Sequence, residues 1–273
     1  MNCVICGTYM DPVLAPASTH PTCLFVEMSD DAEADDLKTD LIEIVRWYER
    51  QNPRNSQPQI GPSEIGDICE RRIGYRIAGI PACNESFDPF PAIVGTALHT
   101  WLDDAVTAWN RTHGTREWHT ETSVQMDQFV KGRSDLYNKP RAMVIDHKSV
   151  GTDLMKKYRR DGPPPGYVIQ VQVYGLGYEQ QGFPVKKVAL AFYPRAGWLK
   201  DMYVWVTDYD RSVAQRALAR MYGIAQQLMD LDILKQSHRW DEVPATPSNS
   251  CGFCPWYDQG REHGADHTGC PGR

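Results

Sequence analysis

The spacing of hydrophobic positions divides the chain into helices and strands. Apolar residues recur at helical spacing over residues 37–50, 63–78 and 95–111, and again from Arg211 to about Lys235. The clearest apolar stripe is in the last of these helices, at Ala214, Ala217, Leu218, Met221, Ile224, Ala225 and Leu228. Shorter apolar or alternating runs predict strands at residues 118–126, 128–137, 142–149, 187–193 and 202–207.

This order of elements predicts an α/β fold, in which a central mixed β-sheet is flanked by helices. Residues 167–181 are ambiguous, because their valines and isoleucine suit a strand as well as a helix. The chain has 273 residues, of which 41% are hydrophobic and 23% charged, enough for a sizeable core. It shows neither a secretory leader nor an apolar segment that could span a bilayer, so we expect a cytoplasmic protein with no membrane partner.

Two carboxylates and a lysine fall on neighbouring predicted strands. Asp135 lies in the first strand, and the apolar run in the second strand leads to Asp146, His147 and Lys148. Two carboxylates can hold a hard divalent cation that neutralises charge on a phosphate and activates water, while an ammonium group orients that water. Surface strands also end in Asp-x-Lys without any such chemistry, so a purely structural interpretation stays open.

Three further residues could join such a site. His99 borders the apolar face of helix 95–111 and could supply an imidazole ligand, although Asp103 is a rival and a buried histidine is often only hydrogen-bonded. Gln170 and Tyr174 are four residues apart, so they share a face if their segment is helical and could reach a phosphate together. Ordinary helix packing would explain that pair equally well.

The four motifs Gly95-x-x-x-His99, Gly132-x-x-Asp135, Asp146-x-Lys148 and Gln170-x-x-x-Tyr174, in this order, resemble the motif series of the PD-(D/E)XK nuclease superfamily. The resemblance is to its RecB-like exonuclease branch and spans roughly residues 60 to 270. It implies a restriction-endonuclease-like core, a catalytic Lys148, substrate-side roles for Gln170 and Tyr174, and metal ligands from His99, Asp135, Asp146 and the backbone carbonyl of His147. The family usually has an apolar or small residue in place of His147, so the role of its side chain stays open.

The eight cysteines fall at the two ends of the chain and in an isolated middle pair, Cys69 and Cys83. In a reducing compartment, cysteines bind metal more often than they form disulfides. Near the C-terminus, Cys251, Cys254 and Cys270 make an incomplete tetrahedral site. The missing ligand is either local, from His263 or His267 in a zinc site, or it is Cys69 from far upstream.

One cysteine before the nuclease core and three after it is similar to the iron–sulfur subgroup of this branch, which includes the Cas-four and AddB families. The resemblance implies a [4Fe-4S] cluster on Cys69, Cys251, Cys254 and Cys270, with zinc as the alternative. The fifteen residues between Cys254 and Cys270 exceed the spacing expected for that subgroup. Cys83 has no assigned chemistry.

A separate constellation stands at the N-terminus, where Cys3-x-x-Cys6 and His20-x-x-Cys23 fit a closed zinc site in a segment that would fold only with its metal. Unpaired thiols or a site shared with another chain are the alternatives. The predicted organisation is a zinc module over residues 1–28, an acidic linker and helix over 29–60, the nuclease core over 61–247 and a cysteine-rich segment over 248–273.

The net charge of −6 argues against a protein that coats nucleic acid through phosphate contacts alone. Positive charge is instead local, at Arg71-Arg72 and over residues 156–160. The second stretch is predicted to be a mobile loop, which could guide a nucleic-acid strand or could be an ordinary solvated loop.

The residues and the resemblance together predict a DNA exonuclease that depends on Mn²⁺ or Mg²⁺ and acts on single-stranded ends. Its setting would be recombination, repair or phage DNA metabolism, the last in the cytoplasm of a bacterial host. The resemblance also makes self-association and a helicase or recombinase partner candidates. The alternatives are a non-catalytic DNA-binding scaffold, a redox-responsive DNA-binding protein and, within nucleases, a structure-specific endonuclease.

Overall fold

A computed structural model describes residues 31–51, 60–84, 87–248, 251–262 and 269–272. The chain divides into two units, Met1–Gln57 and Pro58–Arg273. The predicted N-terminal zinc ligands Cys3, Cys6, His20 and Cys23 lie outside the described residues.

The described part of the first unit is dominated by helix α1 (Asp31–Arg50). It begins six residues before its predicted start, because the acidic residues that suggested a linker belong to its first turns.

The second unit contains a five-stranded mixed sheet, which confirms the predicted α/β fold. Its strands follow each other in chain order: β1 (Trp118–Gln125), β2 (Lys131–Asn138), β3 (Met143–Val150), β4 (Lys187–Pro194) and β5 (Tyr203–Asp208). Neighbouring strands are antiparallel except β3 and β4, which are parallel. A parallel pair needs a crossover connection, and here two helices provide it.

The helices of this unit are α2 (Pro62–Ile65), α3 (Glu70–Ile77), α4 (Phe90–His113), α5 (Thr152–Asp161), α6 (Pro165–Gln180) and α7 (Arg211–Asp230). The prediction of one helix over residues 63–78 was wrong, because extended backbone at Cys69 separates α2 from α3. Helix α7 ends before the predicted Lys235, and Asp232 just beyond it has a positive φ of 47°.

Helix α6 resolves the ambiguous segment. All of its residues from Gln170 to Tyr178 are buried, and it packs against α7 and against the sheet. A helix that is covered on every side carries apolar residues all round, so its sequence lacks the periodicity of a surface helix. Its β-branched residues therefore gave no clear signal of a helix.

The core lies between the sheet and helices α6 and α7. Strand β4 is buried from Val188 to Phe192, and the predicted stripe of α7 is buried except for the half-buried Ala225. In α4, by contrast, no residue is fully buried. Within the described ranges, no helix combines the length and apolar character needed to cross a membrane.

The basic stretch at residues 156–160 is helical, so its prediction as a mobile loop was wrong. It belongs to α5, which is anchored by the buried side chains of Met155 and Tyr158, one turn apart. Lys156, Lys157, Arg159 and Arg160 are exposed on the outer side of this helix. The two apolar anchors place the four charges on one solvent-facing surface.

Candidate active site

The two carboxylates singled out in the sequence lie where strands β2 and β3 part. Backbone pairing between these strands runs from Asn138 and Met143 to Leu136 and Ile145. Asp135 and Asp146 are the next residues on each strand. Strand β3 stays paired with β4 as far as Val150, so it remains fixed on that side while space opens on the other.

His99 reaches this opening from helix α4. Its Nδ1 lies 3.3 Å from Oδ1 of Asp135, and its Nε2 lies 3.1 Å from the carbonyl oxygen of His147. The hydrogen bond with Asp135 raises the pKa of His99. Burial alone would raise the pKa of Asp135, but the contact with His99 and the N–H of His147, which donates to Oδ2 at 2.7 Å, lower it. The contacts with His99 and His147 therefore favour the ionised form of Asp135.

Glu121 on strand β1 completes a compact group with these two residues. One ligand atom each of His99, Glu121 and Asp135 lie within 4.8 Å of one another, and nowhere else in the described part of the chain do three His, Cys, Asp or Glu side chains meet this criterion. We call this the cation-ligand group. Asp103, the rival to His99, does not belong to it.

The sequence placed Glu121 on a strand but did not assign it a role. It lies opposite Asp135 in the β1–β2 register, between the pairs that Thr120 and Thr122 form with β2. Its φ of 46° is unusual for a residue with a side chain and costs conformational energy. Only the register could have revealed that Glu121 faces the site.

Asp146, Lys148 and Gln170 form a second group beside the first. The Nζ of Lys148 lies 2.7 Å from Oδ2 of Asp146 and donates to Oε1 of Gln170 at 2.8 Å. The Nε2 of Gln170 donates to Oδ1 of Asp146 at 2.9 Å. Burial raises the pKa of Asp146, and the positive charge of Lys148 opposes that shift. One oxygen of Asp146 therefore pairs with Lys148 and the other accepts from Gln170. Asp146, predicted as a metal ligand, is not part of the cation-ligand group in this structure.

Tyr174 lies one turn after Gln170 on α6, on the same side of the helix as the sequence predicted. Burial raises the pKa of its hydroxyl, and a hydrogen bond with Gln170 acts in the opposite direction. The glycine of the Gly132-x-x-Asp135 motif makes room for this arrangement. A Cβ at Gly132 would lie 2.7 Å from Cδ of Pro62 and 3.1 Å from the ring of Tyr174.

His147 contributes to the site through its backbone. Its N–H donates to Oδ2 of Asp135, and its carbonyl oxygen faces Nε2 of His99. Its ring is buried against Tyr193, with 5.4 Å between ring centroids, and burial lowers the pKa of His147 to about 4. Nδ1 of this ring has no partner among the described residues. The side chain is therefore neutral at neutral pH.

The four cysteines expected to bind one metal centre share a single cavity. Its volume is about 490 Å³, and its lining includes Cys69, Cys251, Cys254 and Cys270. Chain segments far apart in sequence therefore meet at this point. The rival zinc ligands His263 and His267 lie outside the described residues.

Each of these four sulfurs has an N–H donor. The backbone N–H groups of Thr246 and Ser248 donate to Cys69 at 3.5 Å and Cys251 at 3.4 Å. The buried guanidinium of Arg71 donates to Cys270 at 3.7 Å. Burial raises the pKa of Cys254 to about 11, and a hydrogen bond from the backbone of Trp256 opposes it. Such donors stabilise negative charge on sulfur, which a thiolate ligand carries.

No protein-family model and no curated protein matches this chain. Among solved structures, an alkaline exonuclease from Laribacter hongkongensis is 14% identical over 67% of this chain and 94% of that one, with a TM-score of 0.46. The same exonuclease in complex with dAMP is 12% identical over 66% and 93%, with a TM-score of 0.43. A phage-related exonuclease from Haemophilus somnus is 16% identical over 53% and 73%, with a TM-score of 0.37. Likenesses this weak establish neither a family nor an activity, so a functional assignment has to come from the side chains.

Proposed function

We propose that this protein is a DNA exonuclease that depends on a divalent cation. The observation that carries the proposal is that two groups of polar side chains lie side by side, one around Asp135 on β2 and the other around Asp146 on β3. The cation-ligand group of His99, Glu121 and Asp135 lies beside the hydrogen-bonded group of Asp146, Lys148 and Gln170. Cation ligands, an ammonium group and an amide at one place are the parts that phosphodiester hydrolysis requires.

The ligand set fits a hard or borderline divalent cation. Two carboxylates and an imidazole lie together, with the carbonyl of His147 beside them. Oxygen ligands suit both Mg²⁺ and Mn²⁺, whereas the imidazole favours Mn²⁺. When bound, the cation would neutralise charge on the phosphate and activate water for in-line attack.

Lys148 is proposed to orient the attacking water and the phosphate. Its ammonium is held by Asp146 and Gln170, so it stays directed into the site. Asp146 is proposed as an additional cation ligand, since a carboxylate oxygen that already accepts one hydrogen bond keeps a second lone pair. Tyr174 would support Gln170 on the substrate side.

The proposed substrate is DNA with a free single-stranded end. The resemblance of the motif series to RecB-like exonucleases supports this choice. The four exposed basic residues of α5 support it too, because this helix begins four residues after Lys148 and gives an acidic protein a local positive surface. A helicase or recombinase partner and self-association are further proposals from the resemblance.

The function is tested by incubating the protein, purified without oxygen, with end-labelled linear single-stranded DNA in the presence and absence of Mn²⁺. We expect shortening only with the cation. A circular single strand should resist, since an exonuclease needs an end. Cleavage of the circle would indicate an endonuclease, and binding without any shortening would indicate a DNA-binding scaffold instead.

Glu121→Gln is expected to weaken Mn²⁺ binding by about 10- to 100-fold, because one charged ligand is lost while the shape of the side chain is kept. Isothermal titration with Mn²⁺ measures the affinity. Glu121 pairs with Arg133, whose Nε lies 3.0 Å from its Oε2. Glu242→Gln is the matched control, since Glu242 also pairs with an arginine, 2.6 Å from Nε of Arg239, but lies outside the cation-ligand group. Equal Mn²⁺ affinity in both variants would remove Glu121 from the ligand set.

We further propose that Cys69, Cys251, Cys254 and Cys270 hold a [4Fe-4S] cluster. The four thiols line one cavity, where soft thiolates could bind either an iron–sulfur cluster or zinc. The resemblance of the cysteine arrangement to the iron–sulfur subgroup supports the choice of the cluster.

Cys254→Ser is expected to remove the visible absorption of the cluster and most of the bound iron, because a hydroxyl is a poor substitute for a thiolate at this site. Cys83→Ser, at an exposed cysteine outside the cavity, is the control and should leave both unchanged. Iron analysis and the visible spectrum measure the effect. One zinc and no iron in the wild-type protein would reverse the choice of metal.

A further inference from the structure

The first turn of helix α6 is a wall that the cysteine cavity and the active site share. Pro165, Gly166 and Tyr167 line the cavity together with the four cysteines. The ring of Tyr167 also lies against Lys148, with 4.7 Å between Nζ and the ring centroid. One turn later the same helix supplies Gln170, which accepts from Lys148. A single helical turn therefore touches both sites.

This turn packs directly on the loop that carries Cys69. A Cβ added to Gly166 would lie 2.8 Å from the carbonyl oxygen of Gly66, and a Cβ on Gly66 would collide with the backbone of Gly166. The two backbones are therefore in contact without any side chain between them. Because Gly66 precedes Cys69 by only three residues, we expect a displacement of the cysteine loop to be transmitted to the start of α6 through this contact.

Lys148 depends on this turn for its position. An ammonium group has three N–H bonds, and the structure provides three partners: Asp146, Gln170 and the face of the Tyr167 ring. Two of the three partners belong to helix α6. The direction of the ammonium is thus set by where α6 begins.

We propose that Tyr167 is a positioning residue that couples the cysteine cavity to Lys148. When a metal centre ties Cys69 to the three C-terminal cysteines, the Gly66–Gly166 contact is held and Tyr167 keeps the ammonium aligned. When the thiols are not tied together, the first turn of α6 shifts and the alignment is lost. This inference rests on the proposed function for its catalytic consequence, but the coupling between the two sites can be measured independently.

The test is a double-mutant cycle of Tyr167→Leu and Cys69→Ser on the full chain. Each single change is expected to lower kcat about tenfold with little effect on KM, the size of a lost cation–π contact in a partly desolvated site. If both act on Lys148 through the same turn, the double variant is no slower than the slower single variant. Tyr167→Phe keeps the ring face and should restore near wild-type kcat.

The rate of acylation of Lys148 by a lysine-specific reagent, followed by peptide mass spectrometry, is the readout that does not need activity. We expect faster labelling in both single variants and no further increase in the double variant. If the change in kcat or in labelling rate of the double variant equals the product of the changes in the two single variants, the two residues act independently and the coupling is overturned. If the wild type cleaves no DNA, the labelling cycle still decides the coupling, and only the proposed function fails.

Gly166→Ala tests the contact itself against a matched control. In Gly223→Ala the same methyl group is added to helix α7, where nothing lies within 4 Å of the new Cβ. We expect faster labelling of Lys148 and faster reaction of Cys69 with a thiol reagent only in Gly166→Ala. Labelling rates that are the same in both variants, with circular dichroism like the wild type, would show that the turn does not link the two sites.

Discussion

Asp146→Asn is expected to lower DNA cleavage by about 10²- to 10³-fold, the size of effect seen when a group that stabilises developing charge is removed. The change removes a fully buried negative charge that lies 2.7 Å from the ammonium of Lys148. The neutral amide offers a cation no negative charge and no longer attracts the ammonium of Lys148 into the site. Its oxygen can still accept from Gln170, so the chain is expected to remain folded. The initial rate on end-labelled single-stranded DNA measures the effect.

The control for this variant is Asp208→Asn. Asp208 also pairs with a lysine at 2.7 Å, but this pair, with Lys187, is exposed on the surface. Exposed pairs contribute little, so cleavage and stability should both stay near wild type. An Asp146→Asn protein that retained full activity while folded would contradict the assignment of the site. Asp146→Ala is less suited to the test, because it also removes the oxygen that accepts from Nε2 of Gln170 and leaves that buried donor without its partner.

Lys148→Gln is expected to lower kcat by about 10²- to 10⁴-fold while leaving the affinity for Mn²⁺ nearly unchanged. Lys148 is the ammonium group of the site and is not a ligand in the group of His99, Glu121 and Asp135. Its removal should therefore separate catalysis from cation binding. Single-turnover cleavage gives the rate of the chemical step, and titration with Mn²⁺ gives the affinity.

Lys187→Gln is the matched control, since it breaks the exposed lysine–aspartate pair and leaves the site untouched. A loss of Mn²⁺ affinity in Lys148→Gln as large as in Glu121→Gln would mean that the lysine organises the cation ligands. Unchanged kcat in Lys148→Gln would rule out the proposed role in orienting water.

Much of the fold could be predicted from local patterns. Strand β5 alternates along its length and α7 has one stripe in the core, so hydrophobic periodicity marks both. Strand β4 is buried on both faces and is marked by its continuous apolar run. Helix α6 escaped this rule because it is buried on all sides. The break between α2 and α3 was missed as well, since it depends on the extended backbone at Cys69 beside the cysteine cavity.

The candidate site was predicted in part. Asp135, Asp146 and Lys148 follow or lie within apolar strands, and their residue types and order suggested metal-dependent chemistry. Glu121 could not be found in this way, because its role depends on facing Asp135 across two strands. The partners of Asp146 were also unforeseen, since Gln170 reaches it from the second helix of the crossover between β3 and β4.

The sequence by itself determined the α/β order of elements and the hydrophobic periodicity of its helices and strands. It also determined which side chains are available as ligands for a cation site and for a cysteine-bound metal. These properties depend on neighbours within a few residues, where covalent geometry and periodicity act directly. The tertiary structure decided that Glu121 joins His99 and Asp135, that four distant cysteines share one cavity, and that Tyr167 lies between that cavity and Lys148. Such proximities arise from strand register and from the packing of elements far apart in the chain, which no local pattern specifies.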